Sequence, residues 1–128
     1  MSKEKWLIIG GAGYIGSHII REFISKGVEI LVIDDLSNGY IERIPEGVDF
    51  YNLSCMESLS LNKILVENKI YGVIHLAALK HARESARDPL KYWQYNINSL
   101  ISVLKSIENS QVKNFLFSSS CSVYGASG

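Results

Sequence analysis

The chain has 128 residues, of which 13 are basic and 13 acidic, so that its formal net charge is zero. This length suits one domain with a hydrophobic core, and a hydrophobic content of 47% argues against disorder. Without a net positive charge there is no basic field to attract nucleic acid or an anionic membrane, and both are disfavoured as partners.

The apolar run of residues 6–9 predicts a first strand that leads through a glycine-rich turn into a helix. The glycines fit two related dinucleotide-binding patterns, formed by Gly11, Gly13 and Gly16 and by Gly10, Gly13 and Gly16. A helix N-terminus favours an anion, and glycines let a phosphate approach the backbone without meeting a Cβ. The turn therefore predicts a phosphate site, with an ordinary glycine-rich turn as the alternative. No lysine follows Gly16, which disfavours a nucleotide-hydrolysing P-loop.

The helix after this turn is predicted to pack on a sheet and to end near Gly27, where a C-terminal cap belongs. Its apolar residues at helical spacing are Ile15, Ile19, Phe23 and Ile24. The residues that follow, 28–33, are nearly all apolar, which is typical of a buried parallel strand.

Two carboxylates, Asp34 and Asp35, end this second strand. Asp34 lies 18 residues beyond Gly16, close to the spacing of about 20 at which an acidic side chain accepts hydrogen bonds from an adenosine ribose. A carboxylate there would repel a 2′-phosphate, and the nearest arginine, Arg43, does not follow closely. We therefore predict NAD rather than NADP, and the alternative is a polar pair that merely ends a strand.

A short third strand is predicted at residues 48–51, a helix at about 56–68 and a fourth strand at 72–78. The fourth strand is nearly continuous in apolar residues, as buried parallel strands are. His75 lies inside it and is interpreted as a core histidine rather than a catalytic one.

A long helix is predicted to start at Asp88 and Pro89, an N-cap residue with a proline in the first turn, and to reach about residue 109. It carries an apolar stripe of Leu90, Trp93, Ile97, Leu100, Ile101 and Leu104. Core packing is the favoured interpretation, and a second helix partner, including one from another subunit, is the alternative. A fifth strand is predicted at 114–117, before the serines at 118–120.

Strands that alternate with helices and are joined by short connections predict an α/β fold, a Rossmann-like doubly wound parallel sheet with right-handed crossovers. The usual strand order is 3-2-1-4-5, and the ligand lies beyond the carboxyl ends of the strands, at the switch point between strands 1 and 4. The glycine turn, Asp34, residues 77–80 and the serines all follow strand ends. We expect them to share one crevice.

Metal binding and membrane insertion have no support in the sequence. Cys55 and Cys121 lack metal or redox spacing, and His18 and His81 lack acidic or cysteine partners at metal-ligand spacing. The first residues lack the apolar core of a signal peptide, and no apolar run approaches the ~20 residues that span a bilayer. We expect no metal and a cytoplasmic location.

Seven short motifs follow one another along the chain, at residues 10–18, 32–39, 75–80, 84–85, 89–90, 96–98 and 112–125. Together they resemble the extended short-chain dehydrogenase/reductase family, the NAD-dependent epimerases and dehydratases. Within this family, the sequence is most similar to the enzymes that epimerise a UDP-hexose at C4. The motifs that carry this narrower resemblance are Ala78, Leu79 and Lys80, Glu84 with Ser85, and the triple serine.

In such enzymes NAD takes a hydride from C4 of the sugar and returns it to the opposite face, while the protein orients the reactants. The resemblance implies a nucleotide-sugar substrate and, for Ser120, a hydrogen bond to the 4-hydroxyl that is oxidised; a polar strand exit is the alternative. The implied cofactor contacts are Gly10, Gly13, Tyr14, Ile15, Gly16, Asp34, Asp35, Asn38, Leu76, Ala77, Ala78, Lys80, Asn96 and Ser118.

Some positions depart from the family pattern. Asn52 or Ser54 stands where the family has an aspartate that contacts adenine, and Tyr95 replaces a small polar residue near the cofactor. Ser120, Cys121 and Ser122 stand where 4,6-dehydratases carry Thr-Asp-Glu, which disfavours dehydration.

The family's general base is the tyrosine of a Tyr-x-x-x-Lys motif, whose lysine lowers the pKa of the phenol. No tyrosine in the chain has a lysine four residues later. We therefore expect residues 1–128 to be an amino-terminal fragment, an NAD-binding domain without the UDP-sugar domain, and inactive alone. One alternative is a non-enzymatic dinucleotide-binding or partner-docking module, and another is a different sugar-nucleotide epimerase or a 4,6-dehydratase. Homo-oligomers that form through an unfinished sheet edge are a further possibility.

Overall fold

The computed structural model describes residues 3–125, apart from the side chain of Cys121. Five strands alternate with four helices, namely β1 (Lys5–Ile9), α1 (Tyr14–Ser25), β2 (Glu29–Asp34), β3 (Asp49–Asn52), α2 (Ser58–Glu67), β4 (Ile70–His75), α3 (Ala82–Arg87), α4 (Pro89–Glu108) and β5 (Asn114–Phe117). Two short 3₁₀ turns cover Ile41–Arg43 and Cys121–Tyr124. Within the described residues, no helix is long and apolar enough to cross a membrane.

The strands form one parallel sheet in the order 3-2-1-4-5, which confirms the predicted Rossmann-like topology. β1 lies at the centre, where Ile9 is in register with Ile33 of β2 and with His75 of β4. β2 and β3 lie on one side of β1, and β4 and β5 lie on the other. The segments that follow β1 and β4 therefore diverge and leave a gap at the carboxyl ends of these two strands. This gap positions the candidate site.

Both faces of the central strands are covered, since successive side chains of a strand point to opposite faces. On one face, β-strand residues such as Leu7 and Ile33 pack with Leu61 and Leu65 of α2 and with Val103 of α4. On the other face, Ile8, Val32 and Ile74 pack with Ile20 of α1.

The predicted buried face of α1 is wrong at two positions, because Ile15 and Ile24 are 48% and 45% exposed. Gly16 and Ile20, four residues apart, face the sheet instead. A Cβ at Gly16 would lie 2.6 Å from the Gly10 carbonyl oxygen, so the glycine lets the first turn of the helix rest on the backbone. This close contact, rather than the largest apolar side chains, orients the helix.

The predicted core packing of the α4 stripe is also wrong, since Leu90, Trp93, Ile97, Ile101 and Leu104 are exposed and Leu100 is half-buried. The buried face consists of Tyr92, Ser99, Ser102, Val103 and Ser106. Because serine side chains are small, α4 can lie close to its neighbours. The close contact with α2 includes a hydrogen bond of 2.8 Å that the Asn62 side-chain amide donates to the Ser106 carbonyl. Small polar residues therefore occupy the contact face, and the large apolar residues face outward.

Smaller differences concern element ends. β4 ends at His75 rather than at residue 78, although the Leu76 amide still donates to the Ile9 carbonyl at 2.9 Å. The short helix α3 was not predicted, because its six residues have no apolar periodicity. Gly27 follows α1 with a φ of +70°, as expected for a residue that ends a helix.

Candidate functional site

The glycine turn after β1 is shaped by contacts that exclude side chains. Gly10 has a φ of +84°, and a Cβ there would lie 2.9 Å from the Ala77 nitrogen. Gly13 is the N-cap of α1, which has neither a side-chain cap nor an acidic residue in its first turn. The free N–H groups of that turn are therefore available to an anion.

Asp34 ties this turn to the end of β2. Its Oδ2 accepts from the Ala12 amide at 2.9 Å, and its Oδ1 accepts from the Leu36 amide at 2.8 Å. Each carboxylate oxygen has a further lone pair, so Asp34 can also accept from a ligand hydroxyl. Asp35 fixes the next turn in the same way, by accepting from the amide and the hydroxyl of Ser37.

The loop after β2 folds back onto the glycine turn at Ala12. The Tyr40 amide donates to the Ala12 carbonyl at 3.1 Å, and a Cβ at Gly39 would lie 2.8 Å from the Ala12 Cβ. The Arg43 guanidinium lies 4.9 Å from the centroid of the Tyr40 ring and reaches the Ala12 carbonyl at 3.4 Å. Asp34 and this loop thus hold both sides of the Ala12 residue.

The segment after β4 is held by α4. The Asn96 side chain accepts from the Leu79 amide at 2.8 Å and donates to the Leu79 carbonyl at 3.2 Å. The Tyr92 hydroxyl accepts from the His81 amide at 3.2 Å and donates to Glu84 at 2.9 Å. Hydrogen bonds from Lys91 and Tyr92 lower the pKa of the Glu84 carboxyl, which is half-buried.

These three segments enclose one open crevice of about 300 Å³ at the carboxyl ends of the strands. Ten of the predicted cofactor residues line it, namely Gly10, Gly13, Tyr14, Asp34, Asp35, Asn38, Leu76, Ala77, Ala78 and Lys80. The predicted meeting of the glycine turn, Asp34 and the segment after β4 is therefore present. The crevice has the size and position of a small-molecule site.

Other predicted residues lie outside the lining of this crevice. Gly16 and Asn96 support the segments that line the crevice. Gly16 packs against the backbone of the glycine turn, and Asn96 binds the backbone of Leu79. Ile15 is on the outer surface of α1. The predicted cofactor contacts of these three residues stay predictions.

The serines follow β5, one strand beyond β4. The Ser118 amide donates to the His75 carbonyl at 3.2 Å, and the Ser120 hydroxyl accepts from the Ser122 amide at 3.1 Å. Both serines are exposed and neither lines the crevice, so the expectation that the serines share it with the glycine turn and Asp34 is wrong. The catalytic role of Ser120 and the cofactor contact of Ser118 stay predictions.

His75 is only 2% exposed and stacks on Phe117, with 5.9 Å between the ring centroids. Burial lowers the pKa of His75 to about 4, so the ring is neutral at physiological pH. Its Nδ1 has no hydrogen-bond partner among residues 3–125. His75 is thus buried, as predicted, but not fully hydrogen-bonded.

Sequence reasoning missed several crevice residues, above all Arg43, His81 and Tyr95. Arg43 lies on a 3₁₀ turn and His81 directly before α3, and no periodicity indicates the path of either segment. Tyr95 lies on α4, where it appeared only as a departure from the family pattern.

Comparison with known proteins decides the family. The model of the NAD dependent epimerase/dehydratase family matches residues 6–128. The chain belongs to this family. A UDP-glucose 4-epimerase of Lactobacillus helveticus is 40% identical over 121 residues, which cover 94% of this chain and 37% of that protein.

Solved structures of the epimerase/dehydratase family agree with the fold. A UDP-glucose 4-epimerase of Brucella ovis in complex with NAD is 32% identical, with a TM-score of 0.90 over 96% of this chain and 38% of its own. One of Bifidobacterium longum, in complex with NAD⁺ and UDP, is 31% identical, with a TM-score of 0.86 over 94% of this chain and 38% of its own. The chain thus spans little more than a third of the length of these relatives, and its family is NAD-dependent.

Proposed function

We propose that the chain forms the NAD-binding part of an enzyme that epimerises a UDP-hexose at C4. The observation that carries this proposal is the crevice in which the glycine turn, Asp34 and the segment after β4 meet. Relatives that share the fold are UDP-glucose 4-epimerases, and two of them contain NAD. The substrate class comes from the names of these relatives, and a role in galactose metabolism and a cytoplasmic location are parts of the same proposal.

The residues present fit an adenine dinucleotide. The absence of a Cβ at Gly10 and Gly16 keeps the turn compact, and the uncapped first turn of α1 provides N–H groups for the pyrophosphate. Asp34 would accept from the adenosine ribose, with Asp35 and Asn38 beside it. Lys80, which also lines the crevice, would approach the dinucleotide from the segment after β4.

NAD, when bound, supplies the hydride acceptor and donor for the inversion at C4. The chain's contribution is to bind and orient the dinucleotide between two anchored segments. Ala12, held by Asp34 and Tyr40, fixes one side of the crevice, and Asn96 fixes the other through Leu79. We propose further that Ser120 hydrogen-bonds the sugar hydroxyl, as its motif implies.

The 128 residues by themselves contain no tyrosine with a lysine four residues later. We therefore infer that they do not turn over UDP-galactose unaided, because no tyrosine is followed by the lysine that such a general base requires to take the hydroxyl proton. The same observation favours a second candidate function, a dinucleotide-binding module without catalysis of its own.

Two measurements on the full chain test these proposals. Calorimetric titration with NAD should show saturable binding, and its absence would overturn the proposed cofactor site. A coupled assay with UDP-galactose should show no turnover above the protein-free rate. Tight NAD binding together with rapid turnover would refute the inferred inactivity.

A further inference from the structure

Lys80 lies between two residues whose backbone is hydrogen-bonded to α4. On one side, the Asn96 side chain binds both the amide and the carbonyl of Leu79. On the other side, the His81 amide donates to the Tyr92 hydroxyl at 3.2 Å. Leu79, Lys80 and His81 all line the crevice. Helix α4 therefore fixes the backbone on both sides of the crevice lysine.

The second of these contacts has no role in the proposed function so far, and it depends on Glu84. A tyrosine hydroxyl has one proton, and the Tyr92 hydroxyl donates it to Glu84 Oε2 at 2.9 Å. The lone pairs of the phenol oxygen are therefore left to accept from the His81 amide. Glu84 Oε1 accepts from Lys91 Nζ. Glu84, Lys91 and Tyr92 thus form one network, here called the Glu84 clamp, which ends at the His81 amide.

The Glu84 clamp requires a carboxylate at its centre. Each oxygen of Glu84 accepts from one donor, Lys91 on one side and Tyr92 on the other. A glutamine amide accepts at one end and donates at the other, so one of the two donors would meet an N–H group. Hydrogen bonds from Lys91 and Tyr92 lower the pKa of Glu84, which keeps the carboxyl ionised at physiological pH.

The polar groups of the clamp lie outside the hydrophobic core. α3, which carries Glu84, has no buried residue. The side chains of Lys91 and Glu84 are 51% and 43% exposed, and an ion pair so exposed contributes little to stability. The Tyr92 ring is buried, and phenylalanine would keep that ring in place. Loss of the hydroxyl or of the carboxylate should therefore change the position of His81 more than the stability of the fold.

We propose that Glu84 is a positioning residue of the crevice, which acts through Tyr92 on the His81 backbone and so holds Lys80 toward a bound dinucleotide. Neither Glu84 nor Tyr92 lines the crevice, so both act without touching the ligand. The inference rests on the proposed function, since it needs the dinucleotide to bind beside Lys80. In the alternative, the clamp only fastens α3 to the surface of α4.

A double-mutant cycle with Lys80→Met separates these two roles, because it cancels the effect that each substitution has on its own. NAD is titrated calorimetrically into the full chain as wild type, Tyr92→Phe, Lys80→Met and the double variant. In the wild type, loss of the Lys80 charge should weaken NAD binding about threefold to tenfold, as expected for one charged contact in an open crevice. In the Tyr92→Phe background the same loss should weaken binding less than about twofold.

Glu84→Gln should reduce the Lys80 effect in the same way as Tyr92→Phe. The matched controls are Tyr71→Phe and Glu67→Gln, because Tyr71 lies in β4 outside the crevice and Glu67 lies in an exposed ion pair of α2. Both controls should leave the Lys80 effect at its wild-type size. Circular dichroism and the urea midpoint show that each variant is folded.

A second measurement needs no ligand. Hydrogen exchange of the His81 amide, assigned by nuclear magnetic resonance, should be severalfold faster in Tyr92→Phe and Glu84→Gln than in the wild type. The reason is that the amide loses its acceptor in the first variant, and the acceptor loses its fixed orientation in the second. In Tyr71→Phe and Glu67→Gln the exchange rate should not change.

The outcomes distinguish this inference from the proposed function. If the wild type binds NAD and the Lys80 effect is absent, or is equally large in every background, the inference alone is overturned and the clamp only fastens α3. Unchanged exchange of the His81 amide in both clamp variants would overturn it as well. A wild type that binds no NAD would refute the proposed function and with it this inference.

Discussion

Asp34 stabilises both the fold and the proposed site, because its two oxygens accept from Ala12 and Leu36. Asp34→Asn replaces one acceptor with a donor and leaves one of these amides without its partner. We expect stability to fall by about 1–2 kcal/mol and NAD binding to weaken about tenfold, measured by urea unfolding and calorimetry.

The control for this prediction is Asp49→Asn. It removes the same charge from a surface ion pair with Lys5 at the opposite edge of the sheet, where the effect on stability should be about 0.5 kcal/mol. NAD binding by Asp34→Asn at wild-type affinity would contradict the assigned role.

His75 predicts a pH dependence of stability. Burial lowers its pKa from 6.5 to about 4 in the folded state, so that below pH 6.5 the unfolded chain binds a proton that the fold does not. Stability should therefore fall as the pH drops from 6.5 towards 4, by up to about 3 kcal/mol. His75→Phe keeps an aromatic ring against Phe117 and should reduce the pH dependence of the unfolding free energy between pH 6.5 and 5, measured by urea unfolding. An unchanged pH dependence would mean that other groups cause it.

At the scale of the element, the β1–α1 unit depends on the absence of a side chain at Gly16. A Cβ at Gly16 would lie 2.6 Å from backbone atoms of Gly10 and Gly11, which cannot move without opening the turn. Gly16→Ala should lower stability by about 2 kcal/mol, measured by urea unfolding, and weaken NAD binding. Gly13→Ala is the matched control for stability, because its Cβ would meet the Gly10 oxygen at an ordinary 3.4 Å; an equal loss of stability in both variants would contradict this explanation.

The sequence predicted those elements whose causes are local. Strands β1, β2 and β5 follow from apolar runs, and the start of α4 follows from Asp88, whose side chain accepts from the Lys91 amide. The ten crevice residues were predicted because the glycine turn and the segments after β2 and β4 carry motifs. Their meeting follows from topology, since the carboxyl ends of parallel strands share one edge.

What the sequence did not predict depends on distant partners. Arg43 reaches the crevice because its loop packs on Ala12, which no local pattern indicates. The orientation of α4 depends on α2, whose close approach requires serines on the contact face. Apolar periodicity alone therefore indicated the wrong face for α4.

At the scale of the whole molecule, two elements of the described chain, among others, each expose several apolar side chains. One is the α4 stripe, in which Trp93 and Ile97 are 68% and 43% exposed. The other is the edge strand β5, in which Leu116 and Phe117 are about half exposed and one backbone edge has no strand beside it. Apolar patches and open edges both favour association.

We therefore expect the chain to self-associate with rising concentration, measured by sedimentation velocity. Trp93→Gln with Ile101→Gln should weaken this association if the stripe carries it, because the substitutions remove apolar surface that is already exposed and leave the fold within about 0.5 kcal/mol. Leu116→Lys places a charge on the edge strand and should weaken association if β5 carries it. A wild type that stays monomeric at every concentration would contradict the expectation for both surfaces, and equal association in all three proteins would show that neither surface mediates it.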